Sequence, residues 1–90
     1  MPYVKEHLRE ILTPEVSAPI TEPGELNYAI TQLCLQYVAE NGLSYSTIND
    51  ILGACTGARD EFYRRVAAPY EDKKIAENGD VYPDSMTGQA

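Results

Sequence analysis

Apolar positions recur along this chain at helical spacing, and no stretch alternates as a strand does. Val4, Leu8, Ile11 and Leu12 stand at i, i+4, i+7 and i+8, which predicts a short amphipathic helix ended by Thr13-Pro14. Residues 13–24, TPEVSAPITEPG, hold three prolines and little periodicity. Each proline pushes its predecessor away from helix, so this reads as an extended or loosely turned connector. Leu26, Ile30, Leu33, Cys34, Tyr37 and Val38 then form one stripe of a second, longer helix. Glu25 favours its positive N-terminal end, and Asn41-Gly42 supplies the left-handed exit. Tyr28 and Leu35 lie off the stripe and leave apolar surface for another contact.

Ser44 can cap a third helix, in which Ile48, Ile51, Leu52, Cys55, Phe62 and Val66 keep helical phase through Ala68. Pro69 should break or kink it and open a last short helix ending at Asn78-Gly79. The remaining DVYPDSMTGQA reads as a polar tail, unless Val81 and Tyr82 dock. Two or three residues join the long helices, so they should pair antiparallel, with position i opposite roughly 87 − i. Cys34 and Cys55 should then be near neighbours, read as small buried apolar residues. The expected architecture is all-α: an antiparallel helical hairpin with a short N-terminal helix and a short C-terminal helix after a proline kink. Residues 1–82 form one domain and 83–90 a tail.

Gly53 and Gly57 lie four apart within GACTGA. Each costs a helix about 1 kcal/mol relative to alanine. Close approach of another helix would offset that, as would backbone exposed to a ligand. The stripe keeps phase on both sides, which favours an unbroken helix.

Size limits what such a chain can do alone. With 90 residues it buries roughly 60–65% of its unfolded surface, so its core is marginal and association would help. Apolar residues reach 43%, too many for a disordered chain. No segment approaches the ~18 apolar residues of a membrane span, and the charged start MPYVKEHLRE lacks a signal core. The expected location is the cytoplasm, in a phage-infected host cell if the chain is phage-encoded. There both thiols stay reduced, although a disulfide is sterically possible. A net charge of −7 argues against sequence-independent binding to DNA or RNA, where phosphate neutralisation supplies most of the affinity. His7 has no neighbouring ligand type, so no metal site and no cofactor are expected. No phosphate-cradling loop, nucleophile elbow or carboxylate dyad appears, which points away from an enzyme. Seven tyrosines against one phenylalanine and no tryptophan suit edges where one end is buried and the other wet.

The candidate site is EFYRRVAAPYEDKK. Five of the seven basic residues lie between Arg59 and Lys74, beside four acids. Helical spacing pairs Asp60 with Arg64, Glu61 with Arg65 and Glu71 with Lys74, so a solvated face of ion pairs accounts for the charges. It does not account for arginines beside Tyr63 and Tyr70. Arginine's planar fork suits bidentate phosphate contact, and a tyrosine ring can stack on a base. Arg65, Arg64, Tyr63, Tyr70, Lys73 and Arg59 are therefore the candidate ligand-binding residues. Arg65 is expected to lead, because the Pro69 kink would turn Tyr70 and Lys73 back toward it.

GELNYAITQLC (24–34) and EFYRRVAAPYEDKKIAENGDVY (61–82) together resemble a family of short uncharacterised helical proteins from tailed-phage and bacterial genomes. The blocks cover 33 of 90 residues. The segments GACTGARD and 14–23 depart from the pattern expected there. The resemblance implies a small, mostly helical, cytoplasmic protein, and carries no binding residues over. A phage setting adds one expectation by analogy: an anti-defence sponge that sequesters a phosphorylated signalling (cyclic) nucleotide. The alternative is a protein–protein interaction module or inhibitor of a host factor, with no small-molecule ligand. A third class is a purely structural oligomer. In each case a homo-oligomer is expected.

Overall fold

A computed structural model describes residues 4–88, so the last two residues of the expected tail lie outside it. The described residues form helices and no strand: α1 (Glu6–Leu12), α2 (Pro23–Asn41), α3 (Tyr45–Phe62), a π-helical segment (Tyr63–Ala67), α4 (Ala68–Asn78) and α5 (Asp84–Thr87). The chain divides into two units, Met1–Gly53 and Ala54–Ala90, with the division inside α3.

In the first unit, α1 starts after Lys5 and stops at Thr13, whose hydroxyl donates to the Arg9 carbonyl at 2.7 Å. The connector then curls around an open recess lined by Val16, Ser17, Ala18, Pro19 and Ile20, five consecutive residues without a charge. Pro23 sits in the first turn of α2, where its missing N–H costs nothing. Glu25 reaches back over that turn. Its Oε1 accepts the backbone N–H groups of Thr21 at 2.9 Å and Glu22 at 3.3 Å. These bonds hold the Glu25 carboxyl below its usual pKa, the Thr21 amide being the largest cause. α2 ends as expected: Gly42 takes φ +81°, and its N–H donates to the Val38 carbonyl at 2.7 Å.

Ser44 caps α3. Its Oγ accepts the Thr47 N–H at 3.1 Å and lies 3.1 Å from the Thr47 hydroxyl. Thr47, 4% exposed, is the one buried side chain among the described residues. An interhelical bond ties α2 to α3 here: the Tyr37 hydroxyl donates to Asp50 Oδ2 at 2.9 Å. The bond to the carboxylate raises the tyrosine's pKa, with desolvation and the carboxylate's charge adding to it.

Among the described residues the apolar stripes are at most half-buried. Leu26, Ile30 and Leu33 remain 45–52% exposed, and Leu52 61%. Cys34, Val38 and Ile51 are half-buried. No large apolar side chain is fully buried among the described residues. The small-residue face follows the same rule. α3 runs unbroken through Gly53 and Gly57, and a Cβ placed on Gly53 would meet nothing within 4 Å.

In the second unit the expected break at Pro69 is absent as a break. Helical backbone continues from α3 into α4, with five π-helical residues between them. Proline has no N–H for the carbonyl four residues back, and its ring collides with that carbonyl, here Arg65's. Lengthening one turn relieves both problems. The Ala68 N–H donates to the Tyr63 carbonyl, five residues back rather than four. Pro69 thus becomes the second residue of α4 rather than its first. α4 closes on Gly79 at φ +85°, its N–H on the Ile75 carbonyl at 2.8 Å. The tail is partly helical: α5 forms one turn and exits through Gly88 in the left-handed region. Val81 and Tyr82 stay exposed, at 92% and 65%.

Candidate functional site

All six candidate residues belong to the second unit. Arg59 lies near the end of α3, Tyr63, Arg64 and Arg65 on the π segment, Tyr70 and Lys73 on α4. A π turn is under-wound, so side chains beyond it are re-aimed relative to those before it. The ion pairs formed also differ from those expected of regular α-spacing.

Arg59 Nη1 holds Asp60 Oδ1 at 3.2 Å, between adjacent residues. Asp60 therefore pairs backwards along the chain, not with Arg64. Lys74 Nζ bonds Glu77 Oε2 at 3.3 Å instead of Glu71, and also lies 5.5 Å from the centre of the Tyr70 ring. Among the described residues Arg64, Arg65 and Lys73 enter no ion pair. The sequence had assigned Asp60 to Arg64, and the structure removes that assignment.

Glu71 takes a different partner. It accepts the Tyr63 hydroxyl on Oε2 at 3.4 Å. On a uniform α-helix, positions eight apart sit about 80° out of line. The extra residue of the π turn absorbs one position, leaving an effective spacing of about seven and bringing the two nearly onto one face. Glu71 raises the Tyr63 pKa, first by the hydrogen bond and then by its charge; desolvation and Tyr82 add to the rise, and Arg59 opposes it. The structure thus gathers Arg59, Tyr63, Glu71 and Tyr82 into one electrostatic neighbourhood. Glu71 and Tyr82 escaped the sequence reading, because Glu71 was assigned to Lys74 and Tyr82 to the tail. The signal that could have found them was Pro69, five residues after Arg64, since a proline inside helical periodicity demands a bulge or a break.

The side chains of this segment offer donors and rings. Two neighbouring guanidinium groups, in no ion pair with a described acid, offer bidentate donors to an anion. Tyr63 supplies a ring, with its hydroxyl already committed to Glu71. Tyr70 offers its ring to Lys74. Among the described residues no three His, Cys, Asp or Glu side chains stand together as metal ligands. No described helix is long and apolar enough to cross a membrane.

No curated protein and no solved structure matches this chain. Residues 1–81 match the family model described as "Domain of unknown function (DUF6899)", and the chain belongs to that family.

Proposed function

We propose that this is a non-enzymatic, oligomeric accessory protein of phage type that sequesters a small phosphorylated ligand, a signalling cyclic nucleotide being the class that fits best. The observation that carries the reading is the state of Arg64 and Arg65. They are adjacent, they stand on a π segment, and they make no ion pair with the described acids. π turns cost helix energy and recur at functional sites. Pro69 accounts for the turn itself; the unpaired arginines are what it leaves over. Phosphate would take the guanidinium forks, Arg65 ahead of Arg64, and Tyr63 or Tyr70 would stack on the base. Lys73 and Arg59 would add charge at the edge.

In this reading α2 and α3 close as an antiparallel hairpin turning near residue 43. Tyr37 and Asp50, whose numbers sum to 87, are the pair such a turn would place opposite each other. The exposed apolar stripes favour a second reading as well, a protein–protein module that inhibits a host factor. A thermal-shift screen with cyclic di- and trinucleotides, run beside a pull-down from host lysate, separates the two. Stabilisation by a nucleotide, lost in the Arg64→Gln/Arg65→Gln variant, supports the sponge. A captured host protein with no nucleotide effect supports the module.

A further inference from the structure

We infer that Asn78-Gly79 is a site of spontaneous deamidation, and that the fold protects the same four residues where they recur at the end of α2. Ala-Glu-Asn-Gly stands twice in the chain, at residues 39–42 and 76–79. Each copy closes a helix, with its glycine just past the last helical residue. The inference is independent of the anion site.

The reaction needs an asparagine followed by a small residue. The glycine nitrogen loses its proton to hydroxide and attacks the asparagine Cγ. Ammonia leaves, and a five-membered imide closes. Water then opens the ring at either carbonyl, giving aspartate or isoaspartate. Glycine favours the attack because it has no Cβ to restrict the backbone. Its N–H must first be released from any hydrogen bond.

Both copies start from the same backbone. Gly42 takes φ +81° and Gly79 φ +85°, each with ψ 157°. The Gly42 N–H donates to the Val38 carbonyl at 2.7 Å, and the Gly79 N–H to the Ile75 carbonyl at 2.8 Å. The last turn must therefore open before either site reacts. What holds that turn differs. Asn41 Nδ2 donates to the Tyr37 carbonyl at 3.0 Å, which keeps the reacting amide against the preceding turn. The Tyr37 hydroxyl in turn holds Asp50 on α3 at 2.9 Å, and Ser44, two residues after Gly42, caps that helix. Asn78 makes no such side-chain bond with the described residues. Its turn carries the exposed Lys74–Glu77 pair, and exposed pairs contribute little. Asp80 stands where the first copy has Leu43, and its charge opposes the amide anion. That carboxylate already accepts the Tyr82 N–H at 2.9 Å.

The product adds one negative charge to a chain of net charge −7, at the C-terminal end of α4 where the helix dipole disfavours it. Isoaspartate also lengthens the main chain by a methylene, which breaks the register of Gly79 with Ile75.

Tryptic mapping of the full chain tests this, after incubation for days at body temperature and mildly alkaline pH, with and without enough urea to abolish helicity. Trypsin cuts after Lys74, and Asn78 is the one asparagine in residues 75–90. Native protein should gain aspartate and isoaspartate at position 78 roughly fivefold or more faster than at position 41, the factor that one net hydrogen bond corresponds to. In urea the two rates should converge, because the tetrapeptides are identical. Asn78→Gln should remove the reaction from its fragment and leave the rate at Asn41 unchanged. Native Asn41 reacting as fast as Asn78, or faster, would overturn the inference. So would a native ratio that persists in urea, which would assign the difference to Leu43 and Asp80 rather than to the fold. Native Asn78 staying intact while the urea sample reacts would overturn it as well.

Discussion

The Tyr37 hydroxyl donates to Asp50 Oδ2 at 2.9 Å, joining the last turns of α2 to the first turns of α3. The carboxylate favours the protonated phenol, so the tyrosine's pKa lies above its ordinary value of 10.0. A group with a raised pKa contributes its stability below the unfolded value and loses it as pH rises through the folded one. Tyr37→Phe should therefore melt lower than wild type at neutral pH. The difference should vanish as pH climbs past about 10. Paired thermal melts across that range, with tyrosinate absorbance in parallel, measure it.

Glu25 works in the opposite direction. Its carboxylate accepts the amides of Thr21 and Glu22, and its pKa is lowered chiefly by the Thr21 amide. Its contribution is present above the ordinary glutamate pKa and fades as pH falls through the lowered value. Glu25→Gln should lose helicity at neutral pH and show a weaker acid transition below about pH 4. Circular dichroism from neutral to acid pH checks both.

These two contacts show what regular spacing can reveal. Ser44, Gly42 and Gly79 mark helix ends because their side-chain oxygen or left-handed φ serves a local backbone need, and local needs are written locally. The Tyr37–Asp50 pair follows from a short turn. The π segment did not come through, because periodicity read from Ile48 to Val66 assumes one uniform helix. Pro69 adds a residue to one turn, which brings Glu71 onto the face of Tyr63. The stripes were legible as stripes, yet their pattern does not specify which molecule covers them. Leu33 repeats in phase and is still 45% exposed.

Pro69→Ala should restore a donor to the Arg65 carbonyl and remove the ring clash, letting the π turn relax to α. Stability should rise, by up to ~3 kcal/mol if the whole proline cost is recovered. Ligand affinity should fall as α4 re-aims Tyr70 and Lys73 relative to Arg65. Amide chemical shifts over residues 63–69, with a denaturant melt, separate this from an unchanged turn.

Exposed charges contribute little to folding. Arg64→Gln and Arg65→Gln should each change stability by less than about 1 kcal/mol. Lysine at either position should recover part of any lost phosphate binding, because a point charge lacks the bidentate fork. Denaturant unfolding of the four variants, with ligand titration, tests the pair. A large loss of stability in the glutamine variants would return both arginines to a purely structural role.

The account rests on Arg64 and Arg65 as an anion site, and titration calorimetry tests that most directly. A panel of cyclic di- and trinucleotides is titrated into wild type and into the Arg64→Gln/Arg65→Gln double variant, with circular dichroism showing both folded. Saturable binding of at least one nucleotide to wild type, abolished in the double variant, is the predicted result. No binding by any member of the panel, or binding undiminished in the double variant, would contradict it.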